Sequence, residues 1–135
     1  MANELYNRAR EGFLVGDISW RDSTINAVLV KSSYVFNIND RFYTAIETHH
    51  ENCIPEEITG KSWVNGIADG NDIIYSGIAS GNDYNAIVIY QDTGNVATSR
   101  LIAYIDQAGL TLPVSATGAD ISIVWSNDAN RIFRI

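Results

Sequence analysis

Several short stretches of the 135-residue chain carry side chains capable of chemistry. Thr59-Gly60-Lys61-Ser62 has the ending of a phosphate-binding loop, in which backbone N–H groups and a lysine cradle an anion. The complete motif needs a glycine five positions before Gly60, where Pro55 stands, and Glu56 and Glu57 place negative charge where the phosphate would sit. A turn entering a strand is expected instead. His49-His50-Glu51 with Cys53 gathers metal-capable groups, but adjacent histidines on a helix or strand diverge and no second ligand cluster exists. With both histidines here, none remains for a catalytic triad elsewhere. Asp69-Gly70-Asn71-Asp72 and Gly81-Asn82-Asp83 are oxygen-rich, yet lack the alternating ligands and distal glutamate of a calcium loop. Asn and Asp favour such turns for backbone reasons alone.

Nucleophiles fare no better. Ser80, in Gly77-Ile78-Ala79-Ser80-Gly81, misses the Gly-x-Ser-x-Gly elbow by one position. Cys53 lies near two histidines only in sequence, which is not triad geometry. Glu56-Glu57 has nothing beside it to suggest a glycosidase. No catalytic residue, metal ligand or cofactor is expected, and the chain reads as a non-enzyme. Trp20, Trp63 and Trp125 lie in or beside strand-like segments and are expected in the core. A sugar-binding role would need one of them exposed.

The elements that position these residues follow from periodicity. Asn3 is a candidate N-cap, and Leu5, Tyr6, Ala9 and Phe13 share a helical face, with Glu4 and Arg8 as an i,i+4 pair. Gly12 and then Gly16-Asp17 are expected to stop this helix. Beyond it the period becomes two. Residues 24–30 alternate Ile25, Ala27 and Leu29 against Asn26, Val28 and Val30. Residues 120–125 alternate likewise, and Asn127-Asp128-Ala129-Asn130 predicts a terminal hairpin with residues 131–135. Asn65-Gly66 predicts a hairpin turn, and residues 73–78 a strand. Residues 41–48 are expected to form a short helix.

Residues 84–90 and 101–105 are apolar on both faces, so each strand needs a second cover. That cover is the N-terminal helix or a neighbouring subunit, which hints at an oligomer. The fold expected is mainly β: an antiparallel β-sandwich or barrel with a short N-terminal helix, in one domain spanning 1–135, with 1–20 as helix or arm and 21–135 as a β-rich body.

Composition narrows the partners. Nine basic against 16 acidic side chains leave a net charge of −7, with only Lys31 and Lys61 as lysines, so a nucleic-acid footprint is not expected. No apolar run approaches the ~20 residues of a membrane helix, and no membrane partner is expected. Charged residues within 1–13 give no sign of a secretion signal.

One resemblance is specific. Leu5-Tyr6, Arg10-Glu11, Phe13-Leu14 and Gly16-Asp17-Ile18 with Trp20 resemble the opening of a group of small tailed-bacteriophage virion structural proteins. The likeness continues through Val88-Ile89-Tyr90, Asp92-Thr93-Gly94, Thr98-Ser99 and Leu101-Ile102-Ala103-Tyr104-Ile105-Asp106. It ends with Leu112-Pro113-Val114, Gly118, Asp120-Ile121, Trp125, Asn130 and Ile132-Phe133, and is weakest over residues 32–57. These are turn formers and strand core, not catalytic signatures.

The resemblance implies a capsid decoration or cement protein: β-rich, homotrimeric, bound to the major capsid protein on the outer surface of the virion, and present in the host cytoplasm during assembly. A neck or tail protein and a carbohydrate-binding module are the alternatives. Candidate interface residues are Tyr6, Phe13 and Trp20 in the N-terminal segment, with Tyr84, Tyr90 and Tyr104 at the oligomer core.

Overall fold

The computed structural model describes residues 3–106, 112–125 and 131–135. The chain starts with strand β1 (Asn3–Leu5), helix α1 (Asn7–Val15), β2 (Ile25–Val30) and β3 (Glu56–Glu57). Next come β4 (Ile67–Ala68), β5 (Ile73–Tyr75), β6 (Asp83–Tyr84), β7 (Ala86–Gln91) and β8 (Arg100–Ile105). The last strands are β9 (Val114–Ser115), β10 (Ile121–Ile123) and β11 (Phe133–Arg134). The protein is mainly β and sandwich-like. A five-stranded antiparallel sheet of order β1-β8-β7-β2-β3 is accompanied by the ribbons β10-β5, β11-β4 and β6-β9 and by one helix.

The central strands are the three longest, and their β-branched and aromatic composition suits a pleated, packed surface. Val88 faces Val28 in β2 and Tyr104 in β8, while Ile89 faces Ala27 and Ala103. A bulge interrupts the β7–β8 ladder between Ile89 and Tyr90. β8 is buried along its whole length, and so is β7 up to Tyr90. Fully burying each Val, Leu or Ile contributes about 1.5–3 kcal/mol before the entropy of ordering is subtracted.

The second cover for these strands comes from the chain itself. α1 lies against β8. Tyr75, on β5, donates its hydroxyl to Ala27 O on β2 at 2.6 Å, which draws the β5–β10 ribbon towards the sheet. The doubly apolar strands therefore need no neighbouring subunit to hide them.

Local expectations hold where backbone conformation decides and shift where pairing decides. Leu5 belongs to β1, paired with Ala103, and not to the helix. Tyr6 takes the N-cap position with extended backbone, so α1 starts at Asn7. Glu4 is thereby withdrawn from Arg8, which pairs instead with Glu11 at 2.9 Å. Gly16 ends the helix in the left-handed region at φ 81°. Gly12 does not end it: it is buried inside the last turns, where an added Cβ would come within 2.7 Å of Ile18 Cδ1. Residues 3–20 thus join the body through β1 and α1, and do not project from it as an arm.

Asn65 and Gly66 adopt positive φ values of 58° and 75°, with Ile67 N–H bonded to Val64 O, as a type I′ turn requires. The loop closes through one Ser62–Asp69 bridge, and the following β4 pairs with β11. The predicted terminal hairpin is replaced accordingly: β10 pairs with β5, and β11 with β4. Its turn formers Asn127 to Asn130 lie outside the described residues. The short helix expected at 41–48 is a 3₁₀ turn over Tyr43–Ala45, with Tyr43 and Ile46 turned inward.

Candidate functional site

The chemically capable residues are occupied with structure. Lys61 donates to Ser23 O at 2.7 Å, and burial lowers its pKa. Asn71 is tied to Thr59 by its backbone N–H at 2.8 Å and its side chain at 3.2 Å. Asp69 accepts from Gly70 N–H at 2.9 Å, and Asp72 from Trp125 N–H at 3.0 Å. Asn82 is buried; its Oδ1 accepts from Lys31 at 2.9 Å and from Asn52 at 3.0 Å. Both oxygen-rich turns are thus built around backbone and side-chain donors.

His49 Nδ1 bonds with Ser33 Oγ at 2.9 Å, whereas His50 bonds with the Tyr43 hydroxyl and, through Nδ1, with Cys53 O at 3.1 Å. Cys53 is buried, which pushes its thiol up to about 12 and leaves it protonated at neutral pH. Ser80 is exposed, with both histidines engaged elsewhere, and Glu56 and Glu57 form the exposed edge strand β3. Among the described residues no three His, Cys, Asp or Glu side chains come together as a metal site.

The candidate interface aromatics are placed differently from expectation. Tyr6, Trp20, Tyr84, Tyr90 and Tyr104 are all buried within one chain, and Phe13 is half-buried. The polar ends of Tyr6, Tyr84 and Trp20 are also satisfied internally. The Tyr6 and Tyr34 hydroxyls meet at 2.8 Å, with Tyr34 donating onward to Asp40 at 2.8 Å. Tyr84 donates to Glu51 O at 2.7 Å, and Trp20 Nε1 to Ser62 O at 3.0 Å. Tyr90 packs at a tilt against Tyr43 at 4.8 Å, and Tyr104 against Phe36 at 4.7 Å. These rings pack within the core of the single chain.

One end of the molecule presents apolar side chains outward. Phe133 packs edge-on against Trp20 at 5.2 Å and faces Phe13 at 6.3 Å, forming an aromatic trio beneath this end. The Trp20–Ser62 hydrogen bond fixes the start of the loop that carries Trp63 and Val64, and the type I′ turn follows. Ile135 N–H donates to Gly66 O at 3.0 Å, bringing the last residue beside that turn. Trp63, Val64 and Ile135 are 49%, 69% and 66% exposed. Exposed apolar groups gathered on a held framework are candidate interaction surfaces. Leu14 and Val15, following Phe13 on α1, are exposed as well.

Sequence reasoning passed over this patch because exposed apolar residues carry no motif. Its one legible signal was the Asn-Gly turn flanked by Trp and Val. Compared with protein-family models and with curated proteins, the chain matches none.

Proposed function

We propose that this chain is a non-enzymatic structural protein of a tailed-bacteriophage virion, which decorates or cements the capsid by docking onto assembled major capsid protein. The observation that supports it is the exposure of Trp63, Val64 and Ile135 around one turn, whose backbone is held by Trp20 Nε1 at Ser62 O and by Ile135 N–H at Gly66 O. The resemblance of its turn and core residues to small virion proteins supplies the setting. A cement protein stabilises a shell by binding the assembled lattice and not its free subunits, and a modest contact repeated over many positions is sufficient. The net charge of −7 suits an outward surface that keeps particles mutually repulsive.

The direct test is co-sedimentation of the purified chain with assembled capsids and, separately, with unassembled capsid subunits. Binding to the lattice alone is expected, and equal or absent binding to both overturns the reading. A particle map distinguishes capsid from tail, because decoration follows icosahedral symmetry and tail parts follow the tail axis. Light scattering after size exclusion tests the proposed trimer.

The half-exposed Trp63 also favours a second reading, a carbohydrate-binding surface with Trp63 as the stacking platform. A glycan array with and without calcium tests it, and no binding in either condition removes it.

A further inference from the structure

All but two of the nine basic side chains have partners within the chain. Arg8, Arg21, Arg100 and Arg131 form ion pairs with Glu11, Asp22, Asp17 and Asp69. Lys31 reaches Glu51 and Asn82, Lys61 donates to Ser23 O, and Arg41 lies over the Phe42 ring. Arg10 and Arg134 remain. Among the described residues neither guanidinium has an ion-pair or hydrogen-bond partner, although the chain carries 16 acidic side chains. Both line the same depression.

That depression, of about 200 Å³, lies where α1, β11 and the β1–β8 end of the sheet meet. α1 supplies Arg10, whose own N–H is bonded to Tyr6 O at 3.2 Å in the first turn. β11 supplies Arg134, held opposite Ile67 in its ladder. The small exposed edges of Leu5, Ile105, Ile132 and Phe133 form an apolar floor. Glu4 also borders the depression, but successive strand residues face opposite sides of a sheet. Leu5 lies opposite Ala103 on the side of the depression, so Glu4, opposite Tyr104, turns its carboxylate to the other face. Arg10 and Arg134 are the charged side chains left at the site.

Two guanidiniums without carboxylates of their own select an anion. Their planar forks bond a carboxylate or a phosphate through paired N–H donors. The floor separates these two ligands. Inorganic phosphate is hydrated on every oxygen and gains nothing from apolar contact, whereas an organic carboxylate carries a body that does. The volume keeps that body small, because 200 Å³ lies below the roughly 300–1,000 Å³ of sites for drug-sized ligands.

We propose that this depression binds a small aliphatic carboxylate, with Arg10 and Arg134 on its oxygens and Leu5, Ile105 and Ile132 against its hydrocarbon chain. The site uses different residues from the Trp63 patch and stands whether or not the virion reading does.

The test is an NMR titration of the full chain at low ionic strength with hexanoate, butyrate, the neutral isostere hexanamide and inorganic phosphate. Hexanoate is expected to shift the Leu5, Ile105 and Ile132 signals saturably. Butyrate should bind about tenfold more weakly, since each methylene removed from the floor costs about threefold. Hexanamide should also bind at least about tenfold more weakly, through loss of the charge-assisted bonds. Arg10→Gln and Arg134→Gln should each weaken hexanoate about tenfold and leave hexanamide unchanged, a pattern that general loosening of the fold would not give. Arg21→Gln, which alters an exposed pair with Asp22, should change neither. Four results would each overturn the proposal: no saturable shifts, phosphate binding as tightly as hexanoate (an adventitious ion only), hexanoate affinity unchanged in both arginine variants, or the same shifts growing with protein concentration alone (a carboxylate from a second copy).

Discussion

Arg100, at the first position of β8, donates through Nη1 to the Asp17 carboxylate at 3.0 Å, just beyond the end of α1. Its other amino group donates to Arg8 O at 2.9 Å, so one buried guanidinium ties both ends of the helix region to the sheet. The two partners are unequally exposed, 10% against 58% of their side chains. Arg100→Ala should cost about 3 kcal/mol, because it removes a buried side chain and its charge-assisted bonds. Asp17→Asn should cost about 1 kcal/mol, since water screens the exposed carboxylate. Urea midpoints measure both, and equal losses would contradict this division of roles.

Gly12 offers a test of sign. Replacing a helix-interior glycine by alanine ordinarily gains about 1 kcal/mol. Here the new Cβ would meet Ile18 Cδ1 at 2.7 Å and Arg100 Nη2 at 3.2 Å, and overpacking of that kind costs about 1–3 kcal/mol. Gly12→Ala is expected to lower the thermal midpoint by a few degrees. A rise would mean that Ile18 yields without loss.

Stability should fall on the alkaline side. Burial pushes the Cys53 thiol up to about 12, whereas in the unfolded chain it titrates near about 8.5. Above that pH the unfolded state holds fewer protons than the native state, so stability declines as pH rises. The contribution is whole below about pH 8.5 and is lost progressively towards pH 12. Burial raises the Tyr6 and Tyr75 hydroxyls in the same direction, steepening the decline above about pH 10. Urea midpoints should be flat from pH 7 to 8 and fall beyond pH 9, with a shallower early slope in Cys53→Ala. Ellman's reagent at pH 8 should leave the native thiol unmodified and label it in denaturant; rapid native labelling would refute its burial.

The Trp63 region separates docking from most of the core's stability. Val64→Asp should change stability by less than about 0.5 kcal/mol, as surface substitutions do, and Trp63→Ser by about 1–2 kcal/mol through loss of the buried half of its ring. Under the virion reading each should reduce capsid co-sedimentation by at least about tenfold, a loss of about 1.4 kcal/mol per docked chain. Binding unchanged in both variants would move the contact surface elsewhere on the chain.

Much of the strand content was legible because a residue's face in a strand depends only on its parity. Residues 24–30 and 101–105 became β2 and β8 on that ground, while residues 84–90 divided between β6, which takes Tyr84, and β7. Turn chemistry was equally local: Gly16 and Asn65-Gly66 adopt the positive φ values their types permit at little cost. The helix start was misplaced because Leu5 fits a helical face as well as a strand, and only the ladder to Ala103 separates the two.

The aromatic residues divide along the same line. Their number and position among strands marked them as large contributors to burial, which Tyr6, Tyr84 and Trp20 are. Whether such a ring meets its own chain or another depends on what folds over it, and periodicity carries no information about that.

By itself the sequence determined the class of element at most positions, the acidic surface and the mainly β character, because each follows from local stereochemistry and composition. Only the tertiary structure decided that β11 joins β4 while β10 joins β5, that the apolar strands are covered from within, and that Trp63, Val64 and Ile135 are among the exposed apolar groups. Those outcomes rest on contacts between distant segments, whose free energy depends on mutual fit and not on any one segment's pattern.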